Sequence, residues 1–278
     1  MSPGEVGLLT GAFDLLSAAQ LDVVEQARSR CDRLVVRVRT DEQVEQLEGV
    51  APVMPLADRL RLVDALRAVD AVDVAAADAL PDPAGPGPAY LFSSHADRSA
   101  PDSDPDRVAR PEVLRPRAGG RPLPDVTDLL HPRPRGTTPA GGERTGYVPG
   151  GWDMFHVGHL RILERARALC DRLVVGVVTD EGLVAAKGRP PVVPFAGRAA
   201  VVGAVGLVDE VVADTSSDKR LAWERVRFDV LFKGDDWQGT AKGDRLEAEM
   251  AEVGVELRYF PYTPNASSTA LRSVLDAR

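Results

Sequence analysis

The chain has 278 residues, 44% hydrophobic and 27% charged, a composition that fits a globular protein with room for two domains. Its net charge of −8 argues against a general nucleic-acid binder. No apolar run approaches the roughly 18 residues of a membrane span, so no membrane-crossing segment is expected. Two cysteines suggest a reducing compartment and no disulfide framework. The N-terminus lacks a basic region followed by an apolar stretch, so the cytoplasm is the expected location.

Taken in order, the first elements are an apolar strand at Val6–Leu9 and a helix at Ala18–Arg30. A β-branched run at Leu34–Val38 follows, reading as a strand buried on both faces. A helix at Leu56–Ala68 and a short strand near Val72 come next. Residues 81–139 then hold 13 of the 22 prolines, a stretch too poor in apolar side chains to offset its ordering entropy. Its one apolar island is Ala89–Phe92. The earlier order then recurs: strand Gly146–Val148, helix Val157–Leu169, strand Leu173–Val178, helix Phe195–Val205 and a strand near Val211. The second series continues with strand Val230–Phe232, helix Asp244–Val253, strand Val255–Phe260 and helix Ser268–Ala277.

This recurrence is a gapless internal repeat. Residues 8–74 align with 147–213 at a constant shift of 139, and 27 of the 67 pairs are identical. The period is too long for a solenoid, so it marks a duplicated domain. Alternating strands and helices of these lengths predict α/β domains with parallel sheets and right-handed crossovers. The expected division is a degenerate first domain at 1–95, a Pro/Gly-rich linker or irregular extension at 96–143, and a complete domain at 144–278.

The most informative stretch is Tyr147–His159, Y-V-P-G-G-W-D-M-F-H-V-G-H. It predicts a strand, a glycine turn at Gly150-Gly151, and a helix beginning near His156. A helix N-terminus offers unpaired N–H groups and partial positive charge, which suit a phosphate. His156 and His159, three residues apart, should lie close together on its first turn. Gly158 between them leaves the backbone open to an anion. In parallel sheets ligands bind beyond the carboxyl ends of the strands, where this turn falls.

These residues resemble the G-x-F-D-x-x-H-x-G-H signature of the cytidylyltransferase-like nucleotidyltransferases, with Gly151 and Trp152 where Thr or Cys and Phe are usual. The resemblance implies two tandem Rossmann-like domains packed as an intramolecular pseudo-dimer, with a homodimer left open. It also implies transfer of CMP from CTP to a small phosphate monoester, of the glycerol 3-phosphate or phosphoethanolamine type, with Mg²⁺ and release of pyrophosphate. His156, His159, Lys187 and Arg198 would be catalytic. Gly150, Gly151, Asp153, Gly158, Gly234, Asp235, Asp236, Trp237, Ser267, Ser268 and Thr269 would bind nucleotide. Thr179, Asp180, Tyr262 and Thr263 are candidates to contact the acceptor, and no protein metal ligands are assigned. Two other readings stay open: an adenylyltransferase acting on a sugar phosphate, and a nucleotide-binding scaffold without catalysis.

The repeat sorts these candidates. Ser17 stands opposite His156, Ala19 opposite Gly158, Gln20 opposite His159 and Glu48 opposite Lys187. The first copy therefore lacks the groups a triphosphate needs, and is expected to be non-catalytic. Asp14 and Arg59 are kept opposite Asp153 and Arg198. Asp153 could thus be a cap or turn residue, and Arg198 structural, although the resemblance places an arginine there on the triphosphate. Lys187 is expected in a loop after the second strand.

Overall fold

The structure, a computed structural model, describes residues 6–75, 89–93, 112–115, 142–261 and 268–277, with 89–93 and 112–113 as backbone alone. It divides into two compact units, 1–121 and 122–278. The first holds β1 (Val6–Gly11), α1 (Ala18–Arg28), β2 (Arg33–Val38), α2 (Asp41–Glu48), α3 (Leu56–Asp64), β3 (Ala71–Val74), β4 (Ala89–Ser93) and β5 (Glu112–Val113). The second holds β6 (Thr145–Gly150), α4 (Val157–Arg167), β7 (Arg172–Val178), α5 (Asp180–Lys187), α6 (Phe195–Ala204), β8 (Glu210–Asp214), α7 (Lys219–Val226) and β9 (Val230–Gly234). A 3₁₀ turn at Asp235–Trp237, α8 (Ala241–Glu252), β10 (Glu256–Phe260) and α9 (Ser268–Asp276) complete it.

Each unit has a five-stranded parallel sheet, ordered β3-β2-β1-β4-β5 and β10-β9-β6-β7-β8. These are the same order read from opposite edges, as a duplication requires. The order reverses beside the first strand, between β6 and β9 in the second unit, and the strands' carboxyl ends there form the crevice in which α/β sheets bind ligands.

The structure departs from the sequence-based expectations at β5 and at Lys187, and it adds the helices α2 and α7, which periodicity did not bring out. Strand β5 lies within 96–143, the stretch expected to be linker or irregular extension, and two residues are too few for periodicity to reveal. Lys187 ends a helix instead of lying in a loop. Thr179 caps that helix by accepting from the Gly182 N–H, and Gly188 closes it at φ 71°, a left-handed conformation that glycine adopts without strain. Thr40 and Gly49 (φ 76°) frame α2 in the same way. The rest of 96–143 lies largely outside the described residues.

The second unit's core gathers Tyr147, Val174, Phe228, Leu231, Leu246, Met250 and Val255. The Tyr147 and Phe228 rings stack at 4.6 Å. Each such side chain, fully buried, contributes about 1.5–3 kcal/mol. A Cβ on Gly176 would fall 2.0 Å from the Tyr147 hydroxyl oxygen, so only glycine lets β7 pass this ring. Among the described residues no helix is long and apolar enough to cross a membrane.

Candidate active site

Strand β6 ends at Gly150, and the chain then turns through left-handed Trp152 (φ 56°) and Met154 (φ 49°). The buried Trp152 indole holds this turn to the sheet by donating to the Gly176 carbonyl at 2.9 Å. His156 follows in extended conformation and caps α4, its Nδ1 accepting from the Gly158 N–H at 3.1 Å. An imidazole that accepts at Nδ1 carries its neutral-state proton on Nε2. That Nε2 lies 3.4 Å from the hydroxyl oxygen of Ser268, which itself donates to the Asp153 carbonyl at 2.7 Å. The first residue of α9 is thereby brought to the turn from more than a hundred residues away. The His159 ring stacks on His156 with centroids 3.9 Å apart. Its Nδ1 is buried without a hydrogen-bond partner among the described residues.

Burial holds the His156 pKa down to about 4. It also holds His159 well below its ordinary value, with His156 and Lys187 adding repulsion. Both rings are neutral at pH 7 in the free protein. They would meet an incoming phosphate as hydrogen-bond donors, not as standing cations.

The turn opens onto a cavity of about 380 Å³. Of the residues singled out from the sequence, Gly150, His156, Gly158, His159, Lys187, Gly234, Asp236, Trp237, Ser268 and Thr269 line it. Gly151, Asp153, Thr179, Asp180, Arg198 and Asp235 do not. Tyr262, Thr263 and Ser267 lie outside the described residues. Lys233 is a lining residue that the sequence reading passed over. Its ammonium donates to the Pro149 carbonyl at 3.2 Å and sits 4.1 Å from the centre of the Trp237 ring. Burial, with Lys219 as the next cause, brings its pKa down to about 8. Its place at the carboxyl end of a buried parallel strand was the available signal.

Arg198 does not line the cavity. It is 1% exposed, and each nitrogen of its guanidinium bonds to the protein. It donates to the Val193 carbonyl at 3.0 Å, to the Gly151 carbonyl, and to Asp180 at 2.7 Å. Asp180 also accepts from the Phe195 N–H at 3.1 Å. Asp153 takes the N–H groups of Val192 and Val193 at 3.0 and 2.9 Å, with Arg272 at 3.2 Å. The first unit repeats these bonds: Arg59 reaches Met54, Ala12 and Asp41, and Asp14 takes the N–H groups of Val53 and Met54. A network present in both copies belongs to the fold. In this structure Asp153, Thr179, Asp180 and Arg198 pin the segments around the site instead of facing its cavity.

The profile of the cytidylyltransferase-like family matches residues 8–84 and 147–274. An ethanolamine-phosphate cytidylyltransferase of Arabidopsis thaliana is 44% identical over 95 residues, 32% of this chain and 22% of that protein. The bifunctional protein HldE of Acidiphilium cryptum is 41% identical over 134 residues, 46% of this chain and 26% of that protein. The aligned regions thus span about a quarter of these relatives' lengths. Among solved structures, a lipopolysaccharide core biosynthesis protein from Thermoplasma volcanium matches at 23% identity and a TM-score of 0.38, covering 44% of this chain and 98% of that one.

Proposed function

Because the chain belongs to the cytidylyltransferase-like family, we propose that its second unit transfers CMP from CTP to a small phosphate monoester and releases pyrophosphate. The observation that carries this reading is the pair of stacked, neutral imidazoles at the N-terminus of α4, opening with Lys187 and Ser268 onto one cavity at the strand-order reversal. An acceptor oxygen attacks the α-phosphorus in line, and pyrophosphate departs. Such a transfer asks the protein for positioning and charge stabilisation, with no covalent nucleophile. His156 donates from Nε2, the nitrogen that its cap to Gly158 leaves protonated and that lies 3.4 Å from the Ser268 hydroxyl oxygen in the free protein. His159 lines the same cavity, its ring stacked on His156. The first-turn N–H groups of α4 add donors fixed in place before the substrate arrives. Lys187 neutralises the triphosphate.

Mg²⁺, implied by the family, would be held chiefly by the triphosphate's own oxygens, and Asp236 is the cavity carboxylate able to add a ligand. The ion supplies charge neutralisation on the phosphates. CTP is favoured by the Gly234-Asp235-Asp236-Trp237 run and by the name of the Arabidopsis relative. The direct test is pyrophosphate release from CTP and from ATP across a panel of phosphate monoesters. Release with CTP that His159→Ala abolishes in a folded protein supports the reading. Release with ATP alone moves it to adenylyl transfer, and CTP binding without release in any arm leaves the scaffold reading.

A further inference from the structure

We propose that Lys233, seated on Trp237, is the cation that receives the phosphate of the acceptor, in a subsite across the histidine turn from Lys187. The inference rests on the nucleotidyl-transfer reading of the same cavity.

Topology supplies the first argument. The histidine turn leaves the end of β6, which lies between β7 and β9 in the sheet. Lys187 ends α5, the helix after β7, and a Cβ on Gly151 would lie 3.9 Å from its ammonium. Lys233 lies near the end of β9, on the other flank, tied to the Pro149 carbonyl. The two ammonium groups thus approach the turn from opposite neighbouring strands.

Chemistry supplies the second. In the transfer, a bond forms from an acceptor phosphate oxygen to the α-phosphorus. The bond to the bridging oxygen breaks, and pyrophosphate carries away the electron pair. The acceptor enters as the dianion, so no proton need be removed. In-line geometry places the entering phosphate and the leaving pyrophosphate on opposite sides of the α-phosphorus. Two anions so separated need two separated cations. With Lys187 on the triphosphate, the cation lining the cavity on the other flank is Lys233.

The other copy points the same way. Thr10 of β1 pairs with Ser93, and Thr10 is the counterpart of Pro149. In the β6–β9 register Gly146 faces Val230 and Tyr147 faces Leu231, and counting two residues on from Leu231 and from its partner brings Lys233 level with Pro149, whose carbonyl accepts from its ammonium. Serine therefore occupies the lysine's place in the unit that also lacks both histidines and Lys187. A lysine needed only by the fold would be expected in both copies, as Arg59 and Arg198 are. Among the described residues no carboxylate makes an ion pair with Lys233; of the two that act on it, Asp214 is already bound by Lys219 at 2.7 and 2.8 Å, and Asp236 lines the same cavity. The depressed pKa of Lys233 fits a cation awaiting its counter-charge.

The test uses the full chain with Lys233→Met and Lys233→Arg. Glycerol 3-phosphate, phosphoethanolamine and sugar 1-phosphates serve as acceptors, and CTP affinity without acceptor is measured by calorimetry. The expected result for Lys233→Met is an acceptor KM raised about 10- to 100-fold, as for loss of a charged hydrogen bond. CTP affinity stays within about 2-fold, and Lys233→Arg recovers most of the loss. Undiminished CTP binding shows that the variant has folded, and Lys233→Gln replaces a Met variant that has not. Turnover with an unchanged acceptor KM, or weaker CTP binding in a folded Met variant, overturns this assignment and spares the reaction. A wild-type chain that turns over no acceptor with either nucleotide overturns the reaction, and the assignment with it.

Discussion

In the first unit Ser17 and Gln20 close a capping box at the start of α1: the serine hydroxyl accepts from the Gln20 N–H at 3.3 Å, and the Gln20 side chain accepts from the Ser17 N–H at 3.0 Å. At the same place in the second unit, His156 caps α4 with a ring nitrogen and His159 stacks on it. Both arrangements satisfy the helix start. Only the second places two imidazole rings on the lining of a cavity. The strained approach is common to both, since Phe13 (φ 53°) and Leu15 (φ 48°) repeat Trp152 and Met154. The strain therefore belongs to the fold's way of turning from strand to helix and is no mark of catalysis. What separates the units is a handful of side chains laid on one backbone.

That contrast can be broken by moving side chains across it. The largest effect is expected for His156→Ser combined with His159→Gln, which copies the first unit's box. Turnover should fall by more than about 10³-fold, the scale of lost transition-state stabilisation. The melting temperature should barely change, because the cap is remade. Activity surviving in a folded double variant would remove the histidines from the mechanism.

Next come the shared arginines. Arg59→Met and Arg198→Met should each cost about 3 kcal/mol in urea unfolding, because carbonyls and a carboxylate lose their buried partner. A Arg198→Met variant of full stability but without turnover would return Arg198 to the nucleotide.

Lys187→Glu, the residue of the first unit, should raise the nucleotide KM about 30- to 100-fold through a reversed charge, with the fold unchanged. Steady-state kinetics at fixed acceptor would show it, and an unaltered nucleotide KM would place Lys187 outside the site.

The smallest effect is one of pH. His156 titrates near 4 when folded, against an ordinary 6.5. The folded state binds fewer protons in that interval, so the associated stability is intact above about 6.5 and is lost as pH falls toward 4. The loss should reach about 1–2 kcal/mol at pH 5. His156→Asn keeps a capping oxygen and should flatten the slope, whereas Ser17→Ala in the first unit should leave it unaltered. Equal slopes in wild type and His156→Asn would show that the ring is not held neutral.

Much of this was legible in the chain. The repeat at a shift of 139, the strand–turn–helix around Gly150-Gly151 and the closeness of His156 and His159 are local matters of periodicity, turn chemistry and spacing. Subtracting one copy from the other singled out His156, Gly158, His159 and Lys187, and all four line the cavity. Sequence alone could not assign Arg198, Asp180 and Asp153. A buried arginine bonded to two carbonyls and a carboxylate is indistinguishable in a sequence from one that binds phosphate. The two-residue strand at Glu112–Val113 was hidden because a partner strand, not its own composition, makes it a strand.

The sequence by itself thus determined the duplicated α/β fold, the turn that carries the histidines and the loss of their counterparts in the first unit, because each depends on residues close together in the chain or on matching copies. Only the tertiary structure decided that Ser268 meets His156, that Lys233 and Lys187 come to the turn from opposite flanks, and that Arg198 bonds to Asp180 and two carbonyls away from the cavity. Those depend on which strands lie side by side and on what a buried donor finds within reach.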